Sequence, residues 1–451
     1  MRIKHNFLVD FATLFTMMVF AVLLQACGGG GASSTSSSST VTTSSPSTTQ
    51  TVATSGSNQT GTANTALTTI PSTTGNVASV VVDAGPVTGT ASINVAYVSV
   101  TVCTPGTSGS TAACQTIDHV TLDTGSYGLR LVNSALSSSL NLPAASTNGR
   151  AIGECVQFVV GSTWGSVRMA DIYIGGEVAK NVPIQDIGDN PGGAPSVPTD
   201  CSNTGAVQDT QAALGSNGIL GVGVFVNDCD ACLTKALTAA YYTCTSSGCS
   251  NSTVTSAQVV RNPVASFQNP STGATQDNNG TVIVLPAVAA AGSTGLTGSL
   301  IFGIGTRTNN ALNTASVYAT DSFGNFTTTY KGVSLKSSYL DSGSNGLFFN
   351  DTSIPTCSVN TWAYCPTTAP LSLSATNTSY NTSTSAAVSF SLANANSLFS
   401  NSSIVAGNIG GPSGSSSYFA WGLPFFYGKS VYTAISGVSV SGVPIGPYWA
   451  Y

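Results

Sequence analysis

The chain has 451 residues, 12 Lys and Arg against 17 Asp and Glu, a net charge of −5 and only 6% charged side chains. It has no basic patch and no Walker A phosphate loop, which excludes nucleic acid as an expected partner. With only two histidines, His5 and His119, a multi-histidine zinc site is excluded too, and a Ser-His-Asp or Cys-His mechanism would depend on His119.

In chain order, Arg2 and Lys4 come first, then an apolar run from Phe11 to Leu24, closed by Leu24-Gln25-Ala26-Cys27. The pattern resembles a bacterial lipoprotein signal, with residues 1–26 removed and Cys27 lipidated, palmitate included, as the mature N-terminus. The run is short for a membrane-spanning helix. Gly28 after the cysteine, in place of Asp, resembles lipoproteins sorted to the outer membrane. The expected location is therefore the cell envelope, with the lipid on Cys27 as the membrane contact. Residues 27–75 are Gly, then Ser and Thr, with too few apolar side chains to bury a core. They read as a tether reaching on the order of 35–40 Å root-mean-square.

From residue 76 on, the chain is long enough for two lobes, expected at 76–260 and 261–451. Short Val/Ile-rich or alternating runs recur between Gly, Asn, Ser and Pro clusters: 92–102, 156–160, 167–174, 280–285 and 298–304. These are strand signals, and the fold class is all-β. The clearest helical candidate is 231–242, rich in Ala and Leu.

A phrase within these runs occurs twice. Val120-Thr121-Leu122-Asp123-Thr124-Gly125-Ser126 returns as Ser338-Tyr339-Leu340-Asp341-Ser342-Gly343-Ser344, and each copy runs on into a second apolar stretch. A single Asp-Ser/Thr-Gly is an ordinary turn. Two copies with matching flanks, one in each half of the body, suit two carboxyl groups that share a proton. Such a pair activates water without metal or cofactor. His119 lies four residues before Asp123, on the same face of a strand but well apart from it, and reads as structural.

Setting Cys27 aside leaves ten cysteines, an even number in an exported chain, so disulfides are expected. Cys103/Cys114, Cys244/Cys249 and Cys357/Cys365 are plausible local pairs. Cys155, Cys201, Cys229 and Cys232 remain to be matched. A four-thiolate zinc site from Cys229, Cys232, Cys244 and Cys249 is the alternative.

The order of these motifs resembles the pepsin-like aspartic peptidases. Ala96–Val100 with Thr104-Pro105-Gly106 looks like that family's first hairpin. Gly218-Ile219-Leu220-Gly221-Val222-Gly223 and Ala420-Trp421-Gly422-Leu423-Pro424-Phe425-Phe426 look like its two apolar-apolar-Gly segments. Gly298–Gly303 looks like its strand entering the second lobe. The resemblance covers roughly 95–451 and implies a bilobal β fold of two barrel-like lobes, with Asp123 and Asp341 on the floor of the cleft between them. By the same resemblance, Thr124 and Ser342 would tie the two loops, Gly125 and Gly343 would let backbone approach, and Ser126 and Ser344 would hydrogen-bond the carboxylates. The family's flap Tyr is missing, with Phe158 and Trp164 as candidates in its region, and the Trp that partners it is Arg130 here.

The expected function is that of a lipid-anchored aspartic endopeptidase, monomeric, taking peptide or protein substrate in the cleft. Two alternatives stand beside it. One is a pepsin-like scaffold that binds without cutting; the other is a surface adhesin or structural β protein.

Overall fold

A computed structural model describes residues 75–106, 113–203, 205–269, 271–368, 370–400 and 403–451. The expected signal peptide, Cys27, the tether and His5 lie outside the described residues. Among the described residues, no helix is long and apolar enough to cross a membrane.

Strands dominate because apolar side chains alternate at the period of a pleated chain. Val77–Val82 alternates outward and inward along its length, and Leu371–Thr378 does the same more weakly. Helices are single turns or little more, at Thr199–Ser202, Gln211–Leu214 and Ala395–Ser400. The fold is all-β.

The strands form two sheets. The larger has 17 strands and holds every strand up to Val317–Ala319, together with the last two, Lys429–Ala434 and Tyr448–Ala450. The smaller has seven and holds those between Phe326 and Trp421. Long-range pairings close the larger sheet. Val77–Val82 runs antiparallel to Leu296–Phe302, and Gly280–Leu285 antiparallel to Lys429–Ala434. One continuous apolar core reaches from Val80 and Leu122 to Leu340 and Trp421, so the two sheets share their packing.

Two of the expected strands appear with shifted ends, Ala96–Cys103 for 92–102 and Leu296–Phe302 for 298–304. The strand expected at 156–160 is not one: Arg150–Gln157 ends at the second residue of that run, and 158–160 form the turn before Gly161–Ile174. The expected helix at 231–242 is not one. A 3-10 turn covers Asp230–Leu233, and Tyr241–Thr245 is a strand lying along Arg150–Gln157. The Cys229–Cys232 disulfide folds the start of this segment back on itself. Tyr241 and Tyr242 gain full burial as strand residues, which outweighs the segment's modest helical propensity.

All ten cysteines of the body are paired. The three local pairs form, Cys155 joins Cys201, and Cys229 joins Cys232. The four sulfurs of the zinc alternative are thereby consumed in two disulfides.

Candidate functional site

Each of the two Asp residues stands where a buried strand ends in a tight turn. Cys114–Asp123 delivers the first and Val333–Leu340 the second. A third segment braces each loop. Gly218–Val222 runs parallel to the strand entering the first loop, with Gly221 opposite Asp123, and antiparallel to Tyr127–Val132 leaving it. Ala420–Trp421 repeats the arrangement, parallel to Tyr339–Leu340 and antiparallel to Leu347–Phe348. Glycine follows for steric reasons: a Cβ on Gly221 would lie 2.5 Å from the Tyr127 nitrogen, and one on Gly422 would lie 2.1 Å from the Gly346 oxygen.

The two loops interlock through their hydroxyls. Thr124 N–H donates to Ser342 Oγ at 3.1 Å, and Ser342 N–H donates to Thr124 Oγ1 at 2.9 Å. Each hydroxyl then donates across to the other loop's incoming strand, Thr124 to the Leu340 carbonyl at 3.3 Å and Ser342 to the Leu122 carbonyl at 2.7 Å. The carboxyl groups are held in matching fashion. Gly125 N–H and Ser126 Oγ donate to Asp123 at 2.8 and 2.5 Å; Gly343 N–H and Ser344 Oγ donate to Asp341 at 3.0 and 2.8 Å. A Cβ on Gly125 would sit 2.7 Å from Asp341 Oδ1, so the first loop's backbone rests against the second carboxylate.

Both carboxyl groups are buried and hydrogen-bonded to each other. Burial, and then the neighbouring charge of Asp341, push Asp123 up to about 7. Burial also opposes ionisation of Asp341, while Ser344 and the Asp123 carboxyl hydrogen-bond its charged form. Two buried carboxyl groups in this contact cannot both ionise freely, so the pair shares a proton.

The hairpin formed by Arg150–Gln157 and Gly161–Ile174 contains both flap candidates. Phe158 is buried at its tip against Ile219, and Trp164 is buried edge-on to Tyr242 with ring centroids 5.3 Å apart. Val159 and Val160 are the exposed side chains of the tip. Flanking strands and the Cys155–Cys201 disulfide brace the hairpin on both sides.

Arg130 proves to be the centre of a buried polar cluster that sequence reasoning did not assemble. Its guanidinium is fully buried and donates to the Tyr127 carbonyl at 2.5 Å, to Glu154 at 2.7 Å and to Asp228 at 3.1 Å. Tyr241 donates to Asp228 and accepts from the Val260 N–H, both at 2.8 Å. Burial, then the adjacent Glu154 charge, raise Asp228 well above the ordinary carboxylate range. The available signal was the presence of an Arg in an otherwise apolar strand, Leu129-Arg130-Leu131. Its partners lie 24 and 98 residues away, beyond any local pattern.

His119 lies outside the carboxyl pair. It sits between Asp83 and Asp118, at 3.2 and 3.4 Å, edge-on to Tyr97, and first Asp118, then Asp83, lift it to about 9.

Residues 72–451 match the family described as protein of unknown function (DUF3443). The chain belongs to that family. No curated protein matches the sequence. Among solved structures, the chain is similar to the crystal structure of aspartic proteinase from Irpex lacteus, at 16% identity over 83% of this chain and 96% of that one, with a TM-score of 0.45.

Proposed function

We propose that this member of the family is an aspartic endopeptidase, with Asp123 and Asp341 as the catalytic residues. The observation that carries the reading is the pair itself: two buried, mutually hydrogen-bonded carboxyl groups on interlocked, equivalent loops. In the proposed reaction Asp341, ionised, takes a proton from a water molecule as its oxygen attacks the peptide carbonyl carbon. Asp123 gives its proton to the carbonyl oxygen. Asp341 then gives its proton to the amide nitrogen while Asp123 takes one back from a hydroxyl of the tetrahedral diol; the C–N bond breaks, and the pair is left with one proton, as it began.

Cleavage of a diverse peptide library by the purified full chain, from about pH 3 to 7, tests this. Asp123→Asn and Asp341→Asn should each abolish it, and pepstatin should inhibit it. Cleavage that survives both substitutions would overturn the assignment. The bracing of the hairpin and the burial of Phe158 and Trp164 favour a second reading, a scaffold that binds peptide without cutting. Pepstatin binding by a chain that cleaves nothing is the result expected of it.

The reading includes the export signal. Leu24-Gln25-Ala26-Cys27 supports cleavage before Cys27, lipidation of that residue and residence at the outer membrane. Intact mass measurement of the protein extracted from membranes should show loss of residues 1–26 and a diacyl or triacyl adduct.

A further inference from the structure

A second candidate site is lined by neither Asp123 nor Asp341. A cavity of about 290 Å³ is lined by Ala287–Ala290, a linker that ends in a turn, by the strand residues Val388–Ser391, and by Trp421 and Phe425 among others. The Val388–Ser391 wall belongs to Ser385–Leu392, the edge strand of the smaller sheet. That strand pairs along all eight residues with Leu371–Thr378, without a bulge, and its outer edge has no ladder partner among the described residues. It carries neither charge nor proline, the usual protections of an open edge.

Two polar side chains in the lining are incompletely matched. Asn408 is 5% exposed, and its amide nitrogen donates to the Ala290 carbonyl at 3.0 Å, while its Oδ1 has no hydrogen-bond partner. Lys429 is half-buried, with its ammonium on the Phe425 carbonyl at 2.8 Å and 4.6 Å above the Phe425 ring centroid. Among the described residues it makes no ion pair with a carboxylate. In the sequence, no charged residue occurs between Asp351 and Lys429. Burial without a counter-charge lowers its pKa.

A buried amide oxygen wants an N–H donor, an unmatched ammonium wants an anion, and an open strand edge wants an extended backbone. One kind of molecule meets all three demands. We propose that this cavity is a binding site for the C-terminal end of an extended, uncharged peptide, its carboxylate at Lys429, its backbone added to the edge of Ser385–Leu392, and a peptide N–H near Asn408. The volume suits a ligand of about two or three small residues, at the lower end of ordinary small-molecule sites. The site is independent of the reaction proposed for Asp123 and Asp341.

Titration of the full chain carrying both Asp123→Asn and Asp341→Asn removes cleavage from the experiment. The probes are acetyl-Ala-Val-Ala with a free carboxylate and the same peptide as its C-terminal amide, followed by calorimetry and by Trp fluorescence. The acid should bind at least tenfold more tightly than the amide. Lys429→Met should erase that preference and Lys429→Arg should keep it. Ala289→Phe, at an exposed wall residue, should block both probes while leaving thermal unfolding unchanged. Saturating pepstatin should not compete. Equal binding of acid and amide, undiminished binding in Ala289→Phe, or no binding at millimolar peptide by folded protein would each overturn the proposal.

Discussion

Thr124 and Ser342 each use one hydroxyl twice, accepting from the other loop's backbone and donating to the other loop's strand. Asp123 and Asp341 thus owe their approach to neighbours in sequence that reach across 218 residues. Replacing Thr124 by Val keeps the shape and removes the hydroxyl, leaving the Ser342 N–H buried without an acceptor. The expected loss is about 1–3 kcal/mol in urea unfolding, with a larger proportional loss of any peptidase activity. Unchanged stability would mean the interlock contributes nothing. At the pair itself, the proposed reaction requires a proton on Asp123 and none on Asp341. The rate should therefore fall as pH rises through about 7, and fall again in acid where Asp341 is protonated. A rate still climbing between pH 7 and 9 would be incompatible with Asp123 as the acid.

Among the elements, the hairpin of Arg150–Gln157 and Gly161–Ile174 shows how one side chain fixes the relation of several strands. Arg130 lies on Tyr127–Val132, directly beyond the first Asp loop, and its guanidinium ties that strand to Glu154 in the hairpin and to Asp228 beyond Gly218–Val222. Taking one cation out of such a cluster leaves its carboxylates buried and uncompensated. Arg130→Met should cost about 3–5 kcal/mol and speed amide exchange across 150–174 more than across 371–392. Uniform exchange in both hairpins, or none of that loss, would show that the cluster does not hold the hairpin.

Across the whole molecule, several buried carboxyl groups have raised proton affinity: Asp123 and Glu177 at about 7, Asp186 at about 6, and Asp228 well above the ordinary carboxylate value. Burial is the first cause in each. Glu177 also abuts Asp277, and Arg307 bridges the two. A carboxyl group whose folded pKa exceeds its unfolded value stabilises the fold most fully below the unfolded pKa. That contribution is lost as pH rises through the folded value. His119, raised to about 9, acts in the same direction, its contribution intact below about 6.5 and lost through 9. The fold should therefore unfold on the order of 5 °C or more higher at pH 5 than at pH 8, read by circular dichroism. A higher melting temperature at pH 8 would contradict this reading of the buried acids. In stronger acid the balance reverses, because Asp83 and Asp118 are lowered by His119, and Asp189 by the Ser166 hydroxyl and then Arg168, and each loses those interactions on protonation.

The sequence by itself determined the all-β class, through alternation and turn residues that act over a few positions. It also marked the two Asp phrases, because a catalytic-style turn needs its Gly and hydroxyls next to the acid. The local disulfides were legible for the same reason: Cys103 with Cys114 and Cys357 with Cys365 are separated by 11 and 8 residues. Tertiary structure decided what depends on distant partners. The 231–242 segment became turn and strand because a disulfide and an adjoining strand outweighed its own propensity. Arg130 found Glu154, Asp228 and Tyr241 only once four elements had converged. The cavity at Lys429 exists because a sheet edge, a linker and the start of Lys429–Ala434 meet around it. Local chemistry is written in neighbouring residues, whereas burial and charge compensation are properties of the whole packed chain.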